Sequence, residues 1–177
     1  SYVGPDGLDT SPVALKEKES IQNLMDFPND EYSMQELRDR LRRDFEVVGN
    51  SFLEVGRDKK GRVVMLSHLP AQTMRMTTKE VNPIQVEVLL PRDGKTLTQK
   101  VNKRFRRFVQ QVGERKVWFK EFGDNRSVDP KTGDINTTIS MENSATEVIH
   151  LSLYNPANPY GLPRWFHQMP SILGSRQ

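Results

Sequence analysis

The spacing of apolar residues changes at Gly49, and this change constrains the fold more than any other feature of the sequence. Before Gly49 the apolar residues recur three or four positions apart, which is the helical period: Met34, Leu37, Leu41, Phe45 and Val48. Ser33 followed by Glu36 is a capping box and predicts where this helix begins. After Asn50 come short runs rich in Val, Phe, Leu, Ile and Thr, divided by turn residues, as is typical of strands.

An earlier helix is predicted from Pro12 to about Met25, because proline is favoured at the first helical position. Its expected buried side is formed by Leu15, Ile21, Leu24 and Met25. Hairpins are predicted for 51–57 with 62–67 and for 84–90 with the residues from 97 onward, and a further strand for 146–154. The predicted fold class is α+β: two N-terminal helices, then a mostly antiparallel β-sheet with hairpins and a Pro-rich C-terminal arm.

A length of 177 residues fits one ordinary domain. We expect a flexible arm at 1–12, a single α+β domain at 13–165, and the start of a truncated following segment at 166–177. The chain begins with serine and stops just after an apolar stretch, so we expect it to be a piece of a larger protein.

Composition argues against several classes of function. The chain has no cysteine, which excludes disulfides, cysteine nucleophiles and thiolate metal sites. It has no apolar run near the length of a membrane helix. Gly94, Lys95 and Thr96 resemble the end of a P-loop, but Leu89 stands where that motif needs glycine. The three histidines lack metal-ligand spacing. We therefore expect no enzyme, no metal and no cofactor.

Charge is distributed unevenly along the chain. Residues 1–50 carry six Lys or Arg against eleven Asp or Glu, a net charge of −5, whereas residues 100–120 carry eight against one, a net charge of +7. The basic stretch contains the candidate interface residues Lys103, Arg104, Arg106, Arg107, Arg115 and Lys116. Two interpretations remain open. These cations contact nucleic acid, helped by exposed aromatics that stack on bases, or they pair with the acidic front of a neighbouring subunit, which we favour.

The candidate structural arm follows the last predicted strand. It contains Tyr160, Gly161, Pro163 and Trp165. Proline limits the backbone states, Gly161 permits a turn and the two aromatics offer apolar area. We expect this arm to fold back onto the sheet and to anchor the exit of the chain.

Seven stretches together resemble the portal proteins of tailed bacteriophages, of the long-tailed phage or prophage type. They are residues 48–55 with the turn 58–61, then 69–71, 74–75, 106–110, 118–124, 145–150 and 158–165. Their order and spacing extend from about Leu15 to Gln177 and match the N-terminal, wing-type part of such a protein.

The resemblance implies a structural role without enzymatic activity. A family portal forms a homo-oligomeric ring, typically dodecameric, at one capsid vertex of the virion, and surrounds the channel through which double-stranded DNA is packaged and ejected. The implied partners are capsid, terminase and head-tail adaptor proteins, with no membrane, and the protein would be made in the bacterial host cytoplasm. The alternative function is a free-standing, non-specific nucleic-acid-binding module that uses the basic stretch 100–120.

Overall fold

A computed structural model describes residues 12–92, 95–136 and 138–174, so residues 1–11 of the expected N-terminal arm lie outside the described residues. The helices are α1 (Pro12–Asp26), α2 (Met34–Val48) and α3 (Met169–Gly174). The strands are β1 (Asn50–Arg57), β2 (Val63–Leu69), β3 (Met74–Met76), β4 (Ile84–Arg92), β5 (Lys95–Lys103), β6 (Arg107–Val112), β7 (Arg115–Glu121) and β8 (Glu147–Ser152). The predicted α+β class, with helices first and strands after, is confirmed.

Six strands form the main sheet in the order β2-β1-β8-β7-β6-β3. All its neighbours are antiparallel except β7 and β8, which run parallel. The two edge strands β2 and β3 are joined by the single 3-10 turn Ala71–Thr73, which contacts both β1 and β6. So short a link between opposite edges requires a strongly curled sheet. The curled sheet encloses the core residues Phe52, Leu69, Ala71, Met74, Phe108, Phe119 and Val148.

Helix α2 forms as its sequence predicts. The Ser33 hydroxyl accepts a hydrogen bond from the Glu36 backbone N–H, and the Glu36 carboxylate accepts one from the Ser33 backbone N–H at 2.9 Å. At the other end Gly49 adopts a left-handed conformation with φ 77° and donates its N–H to Phe45. The helix packs on β1 and buries Leu37. Gly49 therefore ends α2 directly before β1 begins at Asn50.

The prediction of which residues of α1 are buried is wrong. Leu15, Ile21 and Met25 are all more than half exposed, and Leu24 is half-buried. The physical reason is that α1 contacts the edge strand β2 and lies away from the core of the curled sheet. An amphipathic pattern identified the helix correctly but not the surface that covers it.

The hairpin β4–β5 follows β3 and precedes β6 in the sequence, and it forms a separate two-stranded sheet. Its nine paired positions run from Ile84 opposite Lys103 to Arg92 opposite Lys95, which is about 30 Å of strand. Val86 near its base is buried. The hairpin therefore extends from the body of the domain and is attached to it at one end.

Beyond β8 the chain turns back toward β1 and then forms the 3-10 helix Arg164–Gln168, followed by α3. The expected domain boundary between 165 and 166 falls inside that 3-10 helix. The division into 13–165 and a following segment stays a prediction.

Candidate functional site

The six predicted interface cations do not form one patch. Lys103 is the last residue of β5 and Arg107 the first of β6, and Arg104 and Arg106 lie in the segment that joins these strands. Arg115 and Lys116 instead begin β7, beyond the turn at Gly113. Because β6 has six residues, the two groups are about 17 Å apart along the strand. The charge run of the sequence is therefore divided between the two ends of one strand pair.

Three of the six cations have partners within the chain. The Lys103 ammonium lies 3.9 Å from a Glu121 carboxylate oxygen and 4.5 Å from the centre of the Phe105 ring. The Arg107 guanidinium lies 3.5 Å from Glu80 and also donates to the Gly133 carbonyl. Arg106 donates its backbone N–H to Glu121 at 2.9 Å, and its guanidinium contacts the Met76 sulfur. These three residues therefore make contacts within their own chain.

The other three candidate cations, Arg104, Arg115 and Lys116, are exposed. Charges on an exposed turn can approach a phosphate backbone or the carboxylates of another subunit. They provide electrostatic attraction without the rigid geometry that would select a base sequence.

The phenylalanines of the basic stretch are not available for stacking on bases. Phe105 and Phe108 are each 1% exposed and Phe119 is 4% exposed, while Trp118 is half-buried. Phe108 belongs to the core of the curled sheet, and Phe105 is buried in the segment between β5 and β6. Base stacking on these three phenylalanines is therefore excluded.

A charge cluster that the sequence did not reveal lies at the base of the β4–β5 hairpin. Arg126 donates to both carboxylate oxygens of Asp124, at 2.9 and 2.7 Å, and to Glu80 at 2.7 Å. Asp124 is 1% exposed. The hydrogen bond to Asp124 is the main cause that raises the pKa of Arg126. Glu80 is 46 positions from Arg126, so no spacing rule could have paired them.

This cluster holds the two ends of the hairpin together. Glu80 lies four positions before β4, and its backbone N–H donates to the Phe105 carbonyl at 2.9 Å just after β5. The Arg126 guanidinium lies 5.9 Å from the centre of the Phe105 ring. The orientation of the hairpin is consequently tied to the buried pair of Arg126 and Asp124.

The predicted arm contacts the body of the domain at three points. The Tyr160 hydroxyl accepts a hydrogen bond from the Met76 backbone N–H at 2.9 Å. Gly161 is bonded to the side chain of Asn50, and the Trp165 indole N–H donates to the Val47 carbonyl at 3.1 Å. Trp165 is 42% exposed, so it is only partly covered. Pro163 stands at the N-terminal cap of the last 3-10 helix with φ −65°.

Asn50 is a buried polar residue whose role the sequence did not indicate. Its amide oxygen accepts from the Gly161 N–H at 2.7 Å and its amide nitrogen donates to the Gly161 carbonyl at 3.1 Å. The same oxygen lies 3.0 Å from Nε2 of His150, whose ring stacks on Phe52. Burial and the nearby Arg106 lower the pKa of His150 to about 4. Neutral His150 therefore donates to Asn50 at neutral pH.

A cleft of about 460 Å³ lies between the β1–β2 hairpin and the segment before β8. Its charged lining is balanced, with Arg57, Lys59 and Lys120 opposed by the carboxylates of Asp58, Glu142 and Glu147. Arg57 already forms a two-pronged ion pair with Glu147 at 3.1 and 3.0 Å. Such a lining favours no charged ligand.

Within the described ranges, no three His, Asp or Glu side chains are grouped as metal ligands. In the same part of the chain, no helix combines the length and apolar content needed to cross a bilayer.

Comparison with known proteins gives two sequence relatives, both from Bacillus subtilis (strain 168). The chain is 36% identical over 134 residues to the Phage-like element PBSX protein XkdE and 33% identical over 134 residues to the Uncharacterized protein YqbA. Each match covers 76% of this chain and 26% of the relative. The chain thus spans about a quarter of the length of these curated relatives. No protein-family model matches the chain.

Among solved structures, the fold is similar to a chain in the neck of an empty GTA particle computed with C6 symmetry. The TM-score is 0.52 at 18% identity, over 93% of this chain and 34% of that chain. At this identity the likeness shows the fold alone. The sequence comparison relates the chain to a protein of a phage-like element.

Proposed function

We propose that this chain is the N-terminal, wing-type part of a portal subunit of a phage or prophage particle. The observation that carries the proposal is the 36% identity to a protein of the phage-like element PBSX over three quarters of the chain. The fold likeness to a chain from a particle neck supports it independently of sequence. In this proposal, copies of the protein form a ring at the head-tail vertex of the virion.

The finer parts of the proposal concern number and partners. The ring would contain about twelve copies, meet capsid, terminase and head-tail adaptor proteins, and surround double-stranded DNA. The function of the chain is then mechanical, and no chemical step or cofactor is assigned to it. The curled sheet has the C-terminal arm hydrogen-bonded to Asn50 and the hairpin base held by the buried pair of Arg126 and Asp124. Such a domain suits a subunit that must keep its shape in an assembly.

Any contact with DNA is proposed to be electrostatic. The exposed cations Arg104, Arg115 and Lys116 could approach phosphates, whereas the phenylalanines of the same stretch are buried. Phosphate contacts position a protein without reading sequence. A free-standing nucleic-acid-binding module would need more exposed cationic and aromatic surface than this stretch presents.

The experiment compares assembly with DNA binding. Sedimentation of the protein in its natural length should give one discrete, large oligomer, whereas a nucleic-acid-binding module should sediment as a monomer. Titration with random and defined duplexes at several salt concentrations should show weak, sequence-independent binding that falls with salt. The double substitution Arg115→Glu with Lys116→Glu should weaken that binding. A monomer with tight DNA binding would overturn the proposal.

A further inference from the structure

We propose that the β4–β5 hairpin of one copy packs against the exposed face of α1 in a second copy of this chain. The inference rests on the proposed ring and names the surfaces by which its subunits meet. It follows from two exposed apolar surfaces with opposite charge.

The first surface is one face of the hairpin. The register places Val86 opposite Val101, Val88 opposite Gln99, and Leu90 opposite Leu97, and alternate residues of a strand share a face. Val86 is buried near the base, but the other apolar residues of that face are between 37% and 48% exposed: Val88, Leu90, Leu97 and Val101.

The opposite face of the hairpin is mostly polar, with Gln85 opposite Asn102 and Glu87 opposite Lys100. A two-stranded hairpin in water is marginally stable by itself. An extended hairpin with one apolar face therefore gains stability when that face is covered.

The second surface is formed by α1 and the residue that follows it. Ile21 and Met25, one helical turn apart, are 63% and 51% exposed, and Phe27 is 77% exposed. These three side chains are as large and apolar as core residues. The helix is held to the domain mainly at β2, so this face is left without a partner inside the described chain.

The charges around the two surfaces are complementary. Residues 84–104, the hairpin with Arg104, carry five Lys or Arg against two Asp or Glu, a net charge of +3. Residues 12–33, which include α1 and Phe27, carry two Lys against five Asp or Glu, a net charge of −3. Equal and opposite charges steer the two surfaces together and disfavour contact of either surface with itself.

Both surfaces are exposed in the same chain, so they do not cover one another. The hairpin base is fixed by Glu80, Arg126 and Asp124, and α1 is fixed at β2. Contact between two different surfaces is head-to-tail, and repeated head-to-tail contacts close into a ring when the rotation allows. The second copy is therefore the occupant that accounts for both surfaces at once.

Residues 1–177 contain no cysteine, so a cysteine introduced here is the only thiol available for cross-linking once any cysteines elsewhere in the natural-length protein are replaced by serine. Val88→Cys and Ile21→Cys variants of the natural-length protein are mixed and treated with a short bis-maleimide, so that a Val88–Ile21 product can arise only between copies. The matched control is Leu89→Cys, which lies on the opposite face of the hairpin and is more exposed. We expect the Val88→Cys sample to give about tenfold more product with Ile21→Cys than the control does.

Electron microscopy of the same samples separates the two proposals. Rings in which Val88→Cys and Leu89→Cys cross-link equally, or not at all, would overturn the hairpin contact and leave the proposed function standing. Protein without rings would count against the proposed function. Rings with the selective cross-link, at a yield that falls as salt is raised, would support both.

Discussion

Gly49 and Gly161 lie backbone against backbone although 112 positions separate them in the sequence. A Cβ on Gly161 would overlap the Gly49 carbonyl oxygen and come within 2.7 Å of the Leu153 backbone. A Cβ on Gly49 would lie 2.8 Å from the backbone of Leu162 and Pro163. The C-terminal end of α2 and the arm after β8 therefore meet where only glycine fits.

Gly161→Ala should destabilise the domain strongly. The added methyl group meets backbone atoms, which cannot move aside as a flexible side chain can, so we expect a loss of about 3 kcal/mol in the free energy of unfolding. Gly174→Ala is the matched control, because a Cβ there meets nothing within 4 Å. Urea unfolding of both variants measures the difference, and equal stabilities would contradict the packing described.

Asn50→Ala should loosen the arm. The substitution leaves the Gly161 N–H and carbonyl without their buried partner, and we expect a loss of about 2–3 kcal/mol. Asn102→Ala, at an exposed hairpin position, should leave stability nearly unchanged. Hydrogen exchange at the Gly161 amide gives a local measure, and unaltered protection in Asn50→Ala would disprove the role of this side chain.

His150 should make the domain less stable in mild acid. Its pKa is about 4 when folded and near its ordinary value of 6.5 when unfolded, so the unfolded chain binds more protons between these values. The contribution of neutral His150 to the free energy of unfolding is complete above pH 6.5 and is lost as the pH falls toward 4. When the pH is lowered from about 7.5 to about 5, the free energy of unfolding of the unaltered protein should fall by about 1–2 kcal/mol more than that of the His150→Gln variant. Urea unfolding at both pH values measures this difference.

The control for this pH effect is His167→Gln, since His167 is exposed. Its acid-dependent loss of stability should match that of the unaltered protein. A His150→Gln variant as acid-sensitive as the unaltered protein would show that His150 does not titrate as described.

Arg126→Met should release the hairpin base. The change leaves the buried Asp124 carboxylate and Glu80 without their shared cation, which we expect to cost about 2–3 kcal/mol. Arg62→Met removes an exposed ion pair with Asp58 and should have little effect. Chemical denaturation compares the two, and a neutral Arg126→Met would refute the anchoring role of the cluster.

Trp165→Ala should lower the free energy of unfolding by an intermediate amount. The indole is partly exposed but donates a hydrogen bond to Val47, so we expect a loss of about 1–2 kcal/mol. In a Trp118→Phe variant the remaining Trp165 fluorescence should be partly quenched by iodide. Emission as red-shifted and as accessible as that of free tryptophan would mean that the arm does not hold Trp165 against α2.

Local patterns predicted much of the fold because they depend on neighbours in sequence. Ser33, Glu36 and Gly49 marked the ends of α2, and turn residues marked the β1–β2 and β4–β5 hairpins. The order of strands was not predictable, since the parallel pairing of Lys120 with Glu147 depends on a connection of 25 residues.

The exposure of the candidate functional residues was predicted less well, because exposure depends on distant contacts. A run of cations gave no sign that Arg107 pairs with Glu80 while Arg115 lies at the far end of the strand. Nor could helical periodicity show that Ile21 would remain exposed, as the period identifies an apolar face but not its partner. The roles of Asn50 and Arg126 depend on residues 111 and 46 positions away.

The most direct test of the portal proposal is electron microscopy of the protein in its natural length. The account predicts closed rings of about twelve copies around a central channel, with density for this domain repeated once in each subunit. A uniform population of monomers, or of compact oligomers without a channel, would contradict it.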